Sequence, residues 1–213
     1  MKTVATPEIA AQQARRIEAE YPDASCSLDF ADAFQLLVAT VLSAQTTDVR
    51  VNTVTPELFA RYPDAAAMAG ANVEDVEAIV RPLGFQRRRA AQLVTLGERL
   101  VEDFRGRVPG SRQALESLPG VGRKTASVVL GDWFGEAALT VDTHVGRLAR
   151  RLGWSGSENP RQVERDVEAL LPDRDWTFLS HALIEHGRAV CTAKAPDCGH
   201  CVVQDICPSA GEF

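Results

Sequence analysis

The sequence predicts an all-α protein, and three observations carry that prediction. Segment after segment spaces its apolar residues at a 3.6-residue period rather than in alternation. Turn signals such as "RPLG", "VPGS", "LPGVG" and "SENP" fall between those segments, and "YPDA" occurs twice. No hairpin dipeptide sits between two β-branched runs, as a sheet would need.

Taken in order, "TPEIAAQQARRIEAEYP" offers Thr6 as N-cap, Pro7 at the first helical position and Pro22 beyond the end. "DAFQLLVATVLSAQ" is apolar all round and reads as a buried helix, with a strand as the alternative. "NVEDVEAIV", "QRRRAAQLVTLGERLVEDF", "SRQALESL", "RKTASVVLGDWF", "THVGRLARRLGW", "PRQVERDVEALL" and "DWTFLSHALIEHGRAVC" all keep the helical period. The two "YPDA" copies have unlike surroundings, so they read as helix-ending turns rather than as a repeat.

At 213 residues, with 45% hydrophobic and 24% charged residues, the composition is that of a globular protein with one large or two small domains. Such a chain buries roughly 70% of its unfolded surface and needs no disulfide staples. Its N-terminal residues lack the apolar stretch of a signal peptide, and no segment is long and apolar enough to span a membrane, so a cytoplasmic location is expected. The net charge of −6 argues against a non-specific polyanion binder but leaves room for a local basic face.

"LPGVGRKTA" (118–126) holds an unexpected cation. The chain has 20 arginines and three lysines, Lys2, Lys124 and Lys194. Lys124 falls just after a glycine-rich turn, near the positive end of a predicted helix, where an ammonium group is disfavoured. A free amine there, above all in a dry site, would be a nucleophile, and arginine cannot supply one. The turn itself is either a plain joint between helices or an anion site suited to a phosphodiester, and Lys124 could also serve as a phosphate contact. Downstream, "LTVDTHVGR" places Asp142 where it is either an N-cap or a carboxylate partner for that lysine.

Four of the five cysteines cluster: Cys191, Cys198, Cys201 and Cys207 follow a C-x6-C-x2-C-x5-C spacing, while Cys26 stands alone. Clustered thiols in a cytoplasmic protein read as metal ligands. A zinc site usually uses two C-x2-C pairs and only one is present, whereas a cubane cluster accepts wider loops. Both remain open on spacing alone. Cys26 reads as a buried apolar residue.

Together, "LPGVGRKTASVVL", "VDTHVGR" and the cysteine loop resemble the endonuclease III family of DNA repair glycosylases, of the helix–hairpin–helix type, over nearly the whole chain. The resemblance implies that Lys124 and Asp142 are catalytic and that the hairpin Leu118, Gly120, Val121 and Gly122 grips the DNA backbone. It also implies a 4Fe-4S cluster on Cys191, Cys198, Cys201 and Cys207, with Lys194 beside it as a phosphate contact. "LSAQTTD" is similar to a segment whose glutamine fills the hole left by a flipped base, here Gln45; otherwise it is a polar helix end with Asp48 as the next N-cap.

"GFQRRRA" is similar to a loop that wedges into the opposite strand, with Phe85, Gln86 and Arg87 as contacts, where many relatives carry a tyrosine second. Three successive arginines fan around a helix start and cannot all be buried; they are either a solvated face or phosphate contacts. His144 is expected to make a helix-start hydrogen bond, and His181 with Glu185 a surface pair. The resemblance further implies two helical lobes, 26–136 and 1–25 plus 137–213, with double-stranded DNA in the cleft between them.

The implied activity is that of a monomeric bifunctional glycosylase and abasic-site lyase acting on damaged bases, oxidised pyrimidines such as thymine glycol among them. A non-catalytic DNA-binding or redox-sensing module is the alternative, and an electron-transfer protein a third.

Overall fold

The computed structural model describes residues 5–212. Among them are eleven α-helices, three short 3₁₀ turns and no strand. Two compact units appear, Cys26–Glu136 and Met1–Ser25 with Ala137–Phe213.

The first unit contains α2 (Ala33–Leu42), α3 (Asp48–Arg61), α4 (Ala65–Ala69), α5 (Val73–Val80), α6 (Gln86–Phe104), α7 (Arg112–Glu116) and α8 (Arg123–Asp132). The apolar sequence of α2 forms a helix, and every residue from Leu36 to Leu42 is buried. α6 packs against α4 and α5, and α8 against α2 and α7. Leu93, Leu96 and Leu100 on one face of α6 are fully buried, each stabilising by about 1.5–3 kcal/mol relative to exposure. Gly97 lies on that face for a steric reason: a Cβ there would come within 2.7 Å of the Ala69 nitrogen and 2.9 Å of the Ala65 oxygen. Any side chain would push α4 away.

The second unit is built from α1 (Pro7–Glu20), α9 (Thr143–Arg151), α10 (Pro160–Leu170) and α11 (Trp176–Ala189), followed by a loop with two 3₁₀ turns. Ile17, Leu148, Trp154, Val163 and Leu183 make its core. A polar group is buried among them: Trp154 Nε1 donates to Gln13 Oε1 at 2.6 Å, and Gln13 Nε2 donates to the Ile206 carbonyl at 2.8 Å. Satisfied on both sides, this buried amide costs little and ties α1 to the C-terminal loop.

Most caps follow the sequence reading. Thr6 caps α1 with Pro7 behind it, and the two "YPDA" copies both end helices, Tyr21 and Tyr62 adopting the same C-cap conformation. One cap differs: Thr47, not Asp48, accepts from Arg50 N at 3.4 Å, and Asp48 is the first residue of α3. α3 itself carries Pro56 in its interior. Proline removes one helical donor, but Pro56 is exposed, so water can reach the carbonyl it leaves free.

Candidate functional site

Nine of the eleven α-helices are preceded by a side chain accepting a hydrogen bond from the first turn; α6 and α8, whose N-cap residues are Phe85 and Gly122, have none. The first amides of a helix have no intrahelical partner and carry the positive end of its dipole. These two bare N-termini therefore suit phosphate oxygens. A sequence signal was available: neither position holds Ser, Thr, Asp or Asn.

α8 is entered by the hairpin. Val121 N donates to the Leu118 carbonyl at 3.2 Å, closing the turn, and Gly120 at φ +78° provides the left-handed residue it needs. Leu118 and Val121 are buried (4% and 6% exposed), whereas Gly120 and Gly122 are exposed. The two apolar side chains thus anchor the hairpin in the core, and only its backbone is available to a ligand. Lys124 is exposed in the first turn of α8. Its side chain therefore faces solvent rather than a dry site.

Cys26 lies in the same unit. Burial pushes its thiol up to about 12, with Asp132 adding to the effect and Lys124 opposing it. The sequence reading of Cys26 as a buried residue is only partly met, because its side chain is half-buried.

Two further loops carry candidate contacts. Gln45 follows α2 and Phe85 precedes α6, and both adopt left-handed backbone, φ 61° and 50°. Gln45 is exposed, Phe85 is 67% exposed and Gln86 is half-buried. The arginine run divides: Arg87 and Arg88 are exposed, with Arg87 Nε 3.8 Å from Glu77, while Arg89 is buried. Sequence reasoning gave Arg89 no separate role, because a run of identical residues does not mark which one turns inward.

In the second unit, Asp142 caps α9, its Oδ1 accepting from Val145 N at 2.8 Å. His144 Nδ1 lies 3.1 Å from Arg147 Nη2 and accepts from it, so it is engaged as a structural acceptor. Glu185 is paired with Arg188 at 3.0 Å.

Cys191, Cys198, Cys201 and Cys207 line a single cavity with Leu148 and Val203. Burial pushes the Cys201 and Cys207 thiols up, and the neighbouring sulfurs add to the shift. Four sulfurs in an apolar cavity are stable as thiolates only if cationic charge is placed among them. Among the described residues, no three His, Cys, Asp or Glu side chains converge as ligands of one ion would. A cubane meets this arrangement, since each thiolate binds a different iron and the sulfurs stand apart.

The surroundings also fit: Arg151 donates to Cys191 Sγ at 3.3 Å and to the Thr192 and Ala193 carbonyls at 2.7 and 3.0 Å. His186 Nε2 lies 3.4 Å from Cys201 Sγ, and its Nδ1 lies 3.3 Å from the Tyr21 hydroxyl. Burial lowers its pKa to about 4, so the ring is neutral; a Tyr21 O–H donated to Nδ1 leaves Nε2–H for the sulfur. Lys194 is exposed on this loop. Among the described residues no helix is long and apolar enough to cross a membrane.

Residues 38–173 match the HhH-GPD superfamily of base excision DNA repair proteins, and residues 191–207 match the iron–sulfur binding domain of endonuclease III. The chain is 50% identical to the endonuclease III of Synechocystis over 191 residues, 89% of this chain and 87% of that one. It is 39% identical to that of Escherichia coli over 192 residues, 90% and 91% of the two chains. A solved structure of a trapped endonuclease III–DNA covalent intermediate superposes with a TM-score of 0.93 at 35% identity, covering 98% of this chain and 99% of the other. The chain belongs to the endonuclease III family of the HhH-GPD superfamily, as a base excision repair DNA glycosylase and abasic-site lyase with a 4Fe-4S cluster.

Proposed function

We propose that this glycosylase and lyase acts as a monomer on oxidised pyrimidines in double-stranded DNA, with Lys124 as nucleophile and Asp142 as its carboxylate partner. The observation that carries the reading is the position of Lys124, exposed in the first turn of a helix whose N-terminus no side chain caps. An amine there is offered to whatever phosphodiester the bare helix end and the hairpin amides hold. A non-catalytic DNA-binding or redox role is not favoured, because the family is one of enzymes.

The target nucleotide leaves the stack, at a cost of a few kcal/mol that a damaged base reduces. The Lys124 nitrogen, as free amine, bonds to C1′ while the glycosidic bond breaks, and the departing base takes a proton from water. The Asp142 carboxylate stabilises the cationic sugar and accepts the proton lost by the new amine. The sugar ring opens to an imine, loss of a 2′ proton expels the 3′ phosphate, and water then releases the lysine. Gln45, Phe85, Gln86 and Arg87 support the opened duplex. The hairpin 118–122 and Lys194 hold phosphates. Cys191, Cys198, Cys201 and Cys207 hold the cluster, which when bound ties the C-terminal loop into one node.

Borohydride reduction in the presence of abasic-site duplex tests the assignment. The wild-type protein is expected to form a covalent adduct and Lys124→Ala none. An adduct that survives in Lys124→Ala would overturn it.

A further inference from the structure

Arg89 is 7% exposed, and its guanidinium is bonded to three backbone carbonyls from two separate segments. Nε donates to Gly84 O at 2.9 Å, and the two Nη atoms donate to Leu42 O at 2.6 Å and Ala44 O at 2.8 Å. Leu42 and Ala44 close the C-terminal end of α2, whose orphan carbonyls carry negative partial charge and welcome a cation. The Ala44 carbonyl belongs to the peptide leading into Gln45, and the Gly84 carbonyl to the peptide leading into Phe85. Those are the two left-handed, non-glycine residues of the candidate DNA loops.

Left-handed backbone is disfavoured for a residue with a side chain, so the conformation persists only where neighbours over-determine it. Arg89 does this for both loops at once. A lysine at 89 would offer one ammonium point, not a planar fork with donors in fixed directions. One turn further along the helix, Gln92 lies against the hairpin, where a Cβ at Gly120 would fall within 1.7 Å of Gln92 Nε2. One face of α6 therefore braces the Gln45 loop, the Phe85 loop and the hairpin.

We infer that Arg89 is a positioning residue for base extrusion: it locks the Gln45 and Phe85 loops into one unit, so that both side chains enter the duplex in a single step. This rests on the DNA contacts proposed above for Gln45 and Phe85. Arg89 touches no substrate, and its effect on the reaction passes entirely through those two side chains.

The test uses the full chain with its cluster and a duplex carrying an abasic analogue opposite 2-aminopurine, whose fluorescence rises when it is unstacked. Arg89→Lys is expected to leave the dissociation constant within about threefold while slowing the fluorescence rise about tenfold, as misplaced groups do. In a Gln45→Ala/Phe85→Ala background the same substitution is expected to add nothing. A native rate in Arg89→Lys, or an equal tenfold loss in the double-variant background, would overturn the lock while leaving the lysine chemistry standing. Native extrusion by the double variant itself would overturn the DNA contacts and the lock with them. Should Arg89→Lys not fold, hydrogen exchange in the wild-type protein decides: amides 43–46 and 85–88 are expected to open together, and unequal opening rates refute the coupling.

Discussion

Val145 donates its backbone N–H to Asp142 Oδ1 at 2.8 Å, so the carboxylate proposed to act on the sugar is also the N-cap of α9. The two roles separate cleanly by substitution. Asparagine caps about as well as aspartate, whereas alanine loses about 1 kcal/mol. Asp142→Asn is therefore expected to melt close to the wild type, and Asp142→Ala about 2–4 °C lower. If the charge is what chemistry needs, both variants lose excision by about 10²–10³-fold, the cost of removing an electrostatic stabiliser. Melting curves with single-turnover excision on a thymine glycol duplex check this; an Asp142→Asn protein that turns over normally would reduce the residue to a cap.

Lys124→Arg distinguishes a nucleophile from a phosphate contact more sharply than removal does. Arginine keeps the charge beside the helix end but never offers a free amine. The variant is expected to bind abasic-site duplex within about threefold of wild type, since the phosphate term survives, and to give no borohydride adduct. Gel shift and trapping on one preparation give both readings.

The fold was largely legible because most helices announce themselves twice, by period and by cap. α6 shows a helical period over the full 86–104 range, and α9 through α11 follow Asp142, Asn159 and Asp175. α3 was harder to read: its Pro56 and its Val and Thr residues look like loop or strand, and only packing against α2 and α5 explains the helix. The candidate site was legible where chemistry restricts residue type, as at Lys124 and the cysteine loop. It was not legible where position alone assigns a role. Arg87 and Arg89 are the same residue two positions apart, yet one is solvated and the other bonds three carbonyls. Gln13, whose amide bridges Trp154 and Ile206, gave no sequence signal either.

Cys26 shares a unit with Lys124 and is itself a potential nucleophile, so its inertness is a test of the lysine assignment. With its pKa raised to about 12, its thiolate fraction at pH 8 is about one in ten thousand. Iodoacetamide at pH 8 is expected to leave Cys26 unmodified in the native protein and to label it once unfolded, as peptide mass spectrometry would show. Cys26→Ala should still form the adduct. The raised value also fixes the pH dependence: the fold favours the protonated thiol, so this contribution is complete below about pH 9 and fades as pH rises toward 12. The stability difference between wild type and Cys26→Ala should shrink in that window and stay flat below it.

The cluster loop is held from α1 and α9 as well as by His186 of α11, which predicts how it fails. α9 reaches it through Arg151, and through Arg147, whose Nε donates to the Cys191 carbonyl at 3.1 Å. α1 reaches it through Gln13 and through Arg16, which donates to Val202 O at 3.2 Å. Between those anchors residues 190–212 form only two 3₁₀ turns, so their order depends on the cluster and on these side chains. Arg151→Met removes the donor to Cys191 Sγ and the hydrogen bonds to the Thr192 and Ala193 carbonyls. The variant is expected to lose its visible iron–sulfur absorbance severalfold faster under ferricyanide than wild type. Limited proteolysis should then cut first between residues 190 and 212 while the Cys26–Glu136 unit stays intact. Equal bleaching rates, or cleavage beginning in α2–α8, would show that Arg151 does not secure the loop.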